Sequence, residues 1–158
     1  MKKIQKITLL YLIYSLSSSI TYSQNSKDLN LKTQGANQLM IEKKYSIAKD
    51  IWLDIVKLQP KNANTNYKTG VCLLESSSSK LESLKYLKVA VKKINKNYSP
   101  FDNTITTAPI ESYFYLGKSY HINGFQDSAI KYLNQFKELA TKKHYLKDES
   151  KKIIKWCE

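Results

Sequence analysis

With 158 residues, four Gly, three Pro and two Cys, the chain has room for one ordinary domain, and its composition excludes a collagen-like or low-complexity polymer and a disulfide-stapled miniprotein. All 26 basic residues are Lys against 13 Asp and Glu, for a formal charge of +13. Phosphate-gripping surfaces favour Arg, whose planar fork binds bidentately, and these Lys are scattered rather than striped, so no nucleic-acid partner is expected.

Residues 1–23 open with Lys2, Lys3 and Lys6, continue through an apolar run from Ile7 to Tyr14, and end on small residues at Thr21 and Ser23. That order is the pattern of a cleaved secretory signal, with the mature chain starting near Gln24 and carrying +10 once those three Lys are removed. The run is too short to span a bilayer and nothing later is apolar enough, so no transmembrane segment is expected after cleavage.

The helical period begins at Asp28, with Leu31, Gly35 and Leu39. A second helix over 46–58 puts Ile47, Ala48, Ile51, Trp52, Ile55 and Leu58 on one stripe, and Pro60 and Asn62 end it. A third spans 63–75 with Tyr67, Gly70, Val71 and Leu74, and a Ser run at 76–79 leads into a fourth over 80–94. Residues 95–108 break the period with Pro100, several Asn and Thr, and two aromatics expected to be exposed, Tyr98 and Phe101. The segment 109–139 then reads as two amphipathic helices joined at Asn123-Gly124. A last helix covers 144–158, with Leu146, Ser150, Ile153, Ile154 and Cys157 inward. Trp156 and Cys157 stand at the end without a capping Gly or polar tail, which predicts that the natural chain continues past Glu158. Cys72 and Cys157 form no metal or CxxC spacing and are expected as buried free thiols.

The skeleton Tyr113-x-x-Leu116-Gly117-x-x-Tyr120 followed by Ala129-x-x-x-Leu133 has tetratricopeptide spacing, with Tyr in the Trp slot and Leu in the Phe slot. Gly70 lies 34 residues after Ala36, one repeat period. The expected fold class is therefore all-α, a right-handed helical solenoid with repeats at about 29–62, 63–95 and 110–141, an insertion at 95–108 and a terminal helix at 144–158. Gly117 should sit at a close helix crossing, where Leu would overpack and Ala would be mild or stabilising.

A leader, two tight helical repeats, an insertion closing on Ala108-Pro109, the run Tyr115-Leu116-Gly117-x-x-Tyr120-His121 and a final helix with Ile154-Lys155-x-Cys157 make a familiar order. It resembles the N-terminal tetratricopeptide region of OmpA-family envelope proteins of Bacteroidota, including the PorE type of the type IX secretion and gliding apparatus. The resemblance implies a periplasmic, outer-membrane-associated module. The propeller and peptidoglycan-binding domain that usually follow in that family are not in this sequence.

His121 and His144 lie on different helices, and no HExxH, GxSxG, P-loop or GxGxxG occurs, so neither an enzyme nor a cofactor is expected. In tetratricopeptide geometry the first helix of each pair lines the concave surface. The candidate binding residues on that surface are Asn37, Tyr67, Phe114, Lys118 and His121, with Lys118 and His121 together suited to a carboxylate. The expected partner is a protein or peptide of the envelope. The alternative is an envelope polymer, peptidoglycan or an anionic glycan, drawn by the Lys-rich surface. Thr33, Val71 and Phe114 fall where a chaperone-docking carboxylate clamp needs polar residues, so that clamp is not expected.

Overall fold

Apolar residues three and four apart give most of the helices a stripe buried against a neighbour, whereas the helix over Ala63–Glu75 is buried nearly all round and that over Glu111–Ile122 has no single apolar face. The computed structural model describes residues 27–76, 80–102 and 104–158, which form seven helices and no strand. These are α1 (27–41), α2 (Tyr45–Leu58), α3 (Ala63–Glu75), α4 (Ser83–Ala90), α5 (Glu111–Ile122), α6 (Gln126–Leu139) and α7 (Lys147–Cys157). Sequential neighbours dominate the packing from α2 onward, and α3 also touches α5, as α5 touches α7. The leader expected over 1–23 lies outside the described residues.

Local chemistry sets the helix ends. Asn62 caps α3, its Oδ1 accepting from the N–H of Asn64 at 2.9 Å and of Thr65 at 3.2 Å. Helix α4 is shorter than the expected 80–94. The Ser83 hydroxyl donates to the Lys80 carbonyl at its start, and beyond Ala90 the chain tightens into three-residue bonds from Lys92 to Val89 and from Lys93 to Ala90. The α1–α2 and α5–α6 turns close alike. Lys43 N–H donates to Met40 and Lys44 N–H to Leu39, as Gly124 N–H does to His121 and Phe125 N–H to Tyr120. Gly124 takes φ +81°, and Lys43 takes φ +56°, a left-handed conformation that strains a side chain.

The core is a chain of small clusters at the helix junctions. Trp52 and Ile55 pack with Ala36, Ala48 and Cys72; Leu84 and Leu87 pack with Leu116; Phe114, Leu133 and Phe136 pack with Leu146, Ile153 and Ile154. Two glycines allow the closest approaches. A Cβ on Gly70 would lie 2.5 Å from Leu87 Cγ, and one on Gly117 would lie 2.6 Å from Leu133 Cγ and 3.1 Å from the Ala129 carbonyl oxygen. Gly117→Ala is therefore not the mild change that helix propensity suggests: Leu133 is fully buried, and its Cγ is a branch point with no room to retreat. Ser83 and Ser119 meet at 2.6 Å between α4 and α5, a buried pair small enough to let those helices close.

The 95–108 insertion folds back on α3. Asn95 N–H donates to the Ala108 carbonyl and Ala108 N–H to the Lys93 carbonyl, each at 2.8 Å, so its two ends are joined. Ala63 N–H donates to Thr106, and Tyr98 is half-buried rather than exposed, its hydroxyl donating to Asn64 Oδ1 at 2.6 Å. Cys72 and Cys157 are both free. Burial pushes the Cys72 thiol up to about 12.

Candidate binding groove

Helices α1 and α3 and the insertion wall a cavity of about 390 Å³ that Pro109, Glu111 and Tyr145 close on the far side. Most of the wall is carbon: Met40 and Ile41 from α1, Tyr67 from α3, Tyr98 and Phe101 from the insertion. Tyr67 is held edge-on by Tyr98 and Tyr115, with ring centroids 6.3 and 6.0 Å away. Burial pushes the phenols of Tyr67 and Tyr98 well above the usual tyrosine range, so both stay neutral. They offer ring faces and hydroxyls rather than charge. Ile41 and Phe101, 56% and 68% exposed, stand at the mouth. They also edge a second depression of about 260 Å³ whose remaining walls are Gln34, Asn37 and Gln38.

Among the described residues that line this cavity, one is a cation. Lys68 is 3% exposed. Its Nζ donates to Asn37 Oδ1 at 2.6 Å and to the Pro100 carbonyl at 3.2 Å, and sits 5.1 Å from the centre of the Trp52 ring. Among the described residues no carboxylate forms an ion pair with it, and burial pulls its ammonium down to about 8, which leaves it protonated at neutral pH. The carboxylate of Glu111, on the α5 side of the cavity, is held by His144 Nε2 at 3.1 Å. The site thus has a cation bonded to α1 and the insertion, a carboxylate on α5, and aromatic rings in its wall.

Of the five residues expected to bind, Asn37 and Tyr67 line this cavity. Phe114 is fully buried, its ring 5.6 Å from that of Phe136, and is a packing residue. Lys118 does not wait for an outside carboxylate. Its Nζ holds Glu75 of α3 at 2.9 Å and Glu149 of α7 at 3.3 Å, and those ion pairs raise its pKa against the opposing effect of burial. His121 turns elsewhere: its Nδ1 lies 3.0 Å from Gln126 Oε1 and 3.2 Å from Cys157 Sγ, and its ring stacks on Trp156. The proposed joint grip of Lys118 and His121 is therefore replaced by two separate intramolecular sets of contacts.

Lys68, Phe101, Glu111 and Tyr145 were not foreseen as lining residues. Lys68 is one Lys among 26, and its partners lie 31 and 32 residues away, so no local pattern marks it. The aromatic pair Tyr98 and Phe101 in a polar insertion was the available signal.

A third hollow, a cleft of about 230 Å³, is lined by amides and hydroxyls including Thr33, Gln59, Asn62 and Thr104. Trp52 reaches it with a fully buried ring, and its indole N–H has no protein acceptor among the described residues. Among those residues no group of three or more His, Cys, Asp or Glu could hold a metal, and no helix is long and apolar enough to cross a membrane. The sequence matches no protein-family model and no curated protein.

Proposed function

We propose that the chain is a tetratricopeptide-like scaffold of the cell envelope that binds an extended segment of a partner protein, without catalysis, in the groove between α1, α3 and the insertion. Two equivalences support the repeat architecture. Gly70 meets Leu87 as Gly117 meets Leu133, and Lys43 and Gly124, each seven residues past Ala36 and Gly117, turn the chain in the left-handed conformation. The leader pattern supports export, and the family resemblance supports a place in a type IX secretion or outer-membrane assembly.

The observation that carries the binding function is the aromatic-walled cavity with exposed Ile41 and Phe101 at its mouth. A carbon-lined hollow with a few placed polar groups is the usual form of a recognition site, and 390 Å³ lies at the small end of that class. It suits one or two side chains of a longer segment.

A photo-crosslinking amino acid placed at Ile41 or Phe101 in the native host tests this. Both positions should trap one discrete partner, identified by mass spectrometry, and the same probe at exposed Lys131 on α6 should not. Equal trapping at Lys131, or none at either groove position, would overturn the assignment.

A further inference from the structure

We infer that the groove selects a segment in which an acidic residue adjoins an aromatic or large aliphatic one, the carboxylate meeting Lys68 and the apolar side chain filling the cavity. This rests on the protein-binding function proposed above for the same groove.

Three observations carry it. The first is charge. A buried ammonium is costly unless paired, and Lys68 faces the cavity with two neutral oxygens for partners. Of its three N–H donors, Asn37 Oδ1 and the Pro100 carbonyl take two and the Trp52 ring lies 5.1 Å away, so a carboxylate entering the cavity takes the third or displaces the neutral Pro100 carbonyl. A carboxylate is the acceptor that neutralises it, and a charge-assisted bond is about twice as strong as a neutral one. The second is the wall. Met40, Ile41, Tyr67 and Phe101 present carbon to whatever lies beside that carboxylate. The third is direction. Glu111 on the α5 side repels an acid, so the acidic residue belongs at the Lys68 end, next to the amide-lined depression of Gln34 and Gln38. Side-chain amides there can pair with the peptide backbone as the segment runs on past Phe101. The formal charge, +10 once the three leader Lys are removed, adds attraction for an acidic partner.

Fluorescence polarisation with four labelled dodecapeptides tests this, each Gly/Ser-flanked with a central Glu-Phe, Gln-Phe, Glu-Ala or Lys-Phe pair. Glu-Phe should bind the protein about tenfold more tightly than Gln-Phe or Glu-Ala, the loss expected for one charge-assisted contact or one buried ring. Lys-Phe should bind more weakly still. Phe101→Ser, at an exposed position, should weaken Glu-Phe without altering the fold by circular dichroism. Lys68→Met should erase the preference for Glu over Gln, and the peptide series on the native protein decides the matter if that variant does not fold. Equal binding of Glu-Phe, Gln-Phe and Lys-Phe, all dependent on Phe101, would overturn the acidic preference and leave the groove standing. If none of the four binds, this inference falls, and crosslinking at Ile41 decides the binding function separately.

Discussion

Replacing Gly117 by Ala adds one methyl group and sets two effects against each other. Removing a mid-helix Gly should stabilise α5 by about 0.5–1 kcal/mol. The new Cβ, however, falls 2.6 Å from Leu133 Cγ and 3.1 Å from the Ala129 carbonyl oxygen, both on α6. Overpacking a dense core typically costs about 1–3 kcal/mol. The balance lies between about 0 and 2.5 kcal/mol of destabilisation, so the gain that propensity alone predicts should not be seen. A double-mutant cycle shows whether the clash is the cause. Leu133→Ala should cost about 2–5 kcal/mol by itself, because it empties a fully buried site. In the double variant the Gly117 methyl enters that space, so the combined loss should fall short of the sum by more than about 0.5 kcal/mol. Urea unfolding followed by circular dichroism at 222 nm gives all four stabilities. A Gly117→Ala protein more stable than wild type, or strict additivity in the cycle, would refute the α5–α6 crossing as described.

Lys68 makes stability rise with alkalinity. Its folded pKa, about 8, lies below the ordinary lysine value of 10.5, so between those values the unfolded chain binds the extra proton; below pH 8 both states are protonated and the contribution is flat. Wild type should gain about 1 kcal/mol relative to Lys68→Met between pH 7 and 9; Cys72, held high, slopes the other way above pH 9 in both proteins, so the difference between them is the readout. Tyr98→Phe should cost about 1–2 kcal/mol and speed proteolysis within 95–108, because Asn64 Oδ1 loses the hydroxyl that pins the insertion. Lys43→Gly should raise stability by about 1 kcal/mol in the same urea assay, since it relieves a left-handed side-chain conformation; no gain would mean that the turn is not strained.

Helix positions were legible where a chemical stop coincided with the period. The ends of α3 coincide with Asn62 and Ser76, while α4 is shorter than its period suggests because Ser83 and the turn after Ala90 compete with the helix through local bonds that periodicity does not register. On α5, Tyr113, Phe114, Tyr115 and Leu116 are four large residues in succession, so no face stands out as interior, and Phe114 could be assigned to the surface. Asn37 and Tyr67 were readable because their faces follow from helix phase. Lys68 was not, since its role depends on a carbonyl of the insertion, whose path over α3 is set by tertiary bonds from Asn64 and Ala63.

The paired backbone bonds between Lys93, Asn95 and Ala108 give the insertion a closed neck. A loop joined at its base transmits little of its own length to the rest of the chain: doubling the residues beyond the neck should cost about 0.6 kcal/mol in closure entropy. Tyr98 and Pro100 stay tied to Asn64 and Lys68, but exposed Phe101 can be exchanged and residues added beside it, re-aiming the mouth of the groove while the described helices keep their register. Selection acting on partner choice would find its freedom there, separated from the positions that the fold itself holds fixed.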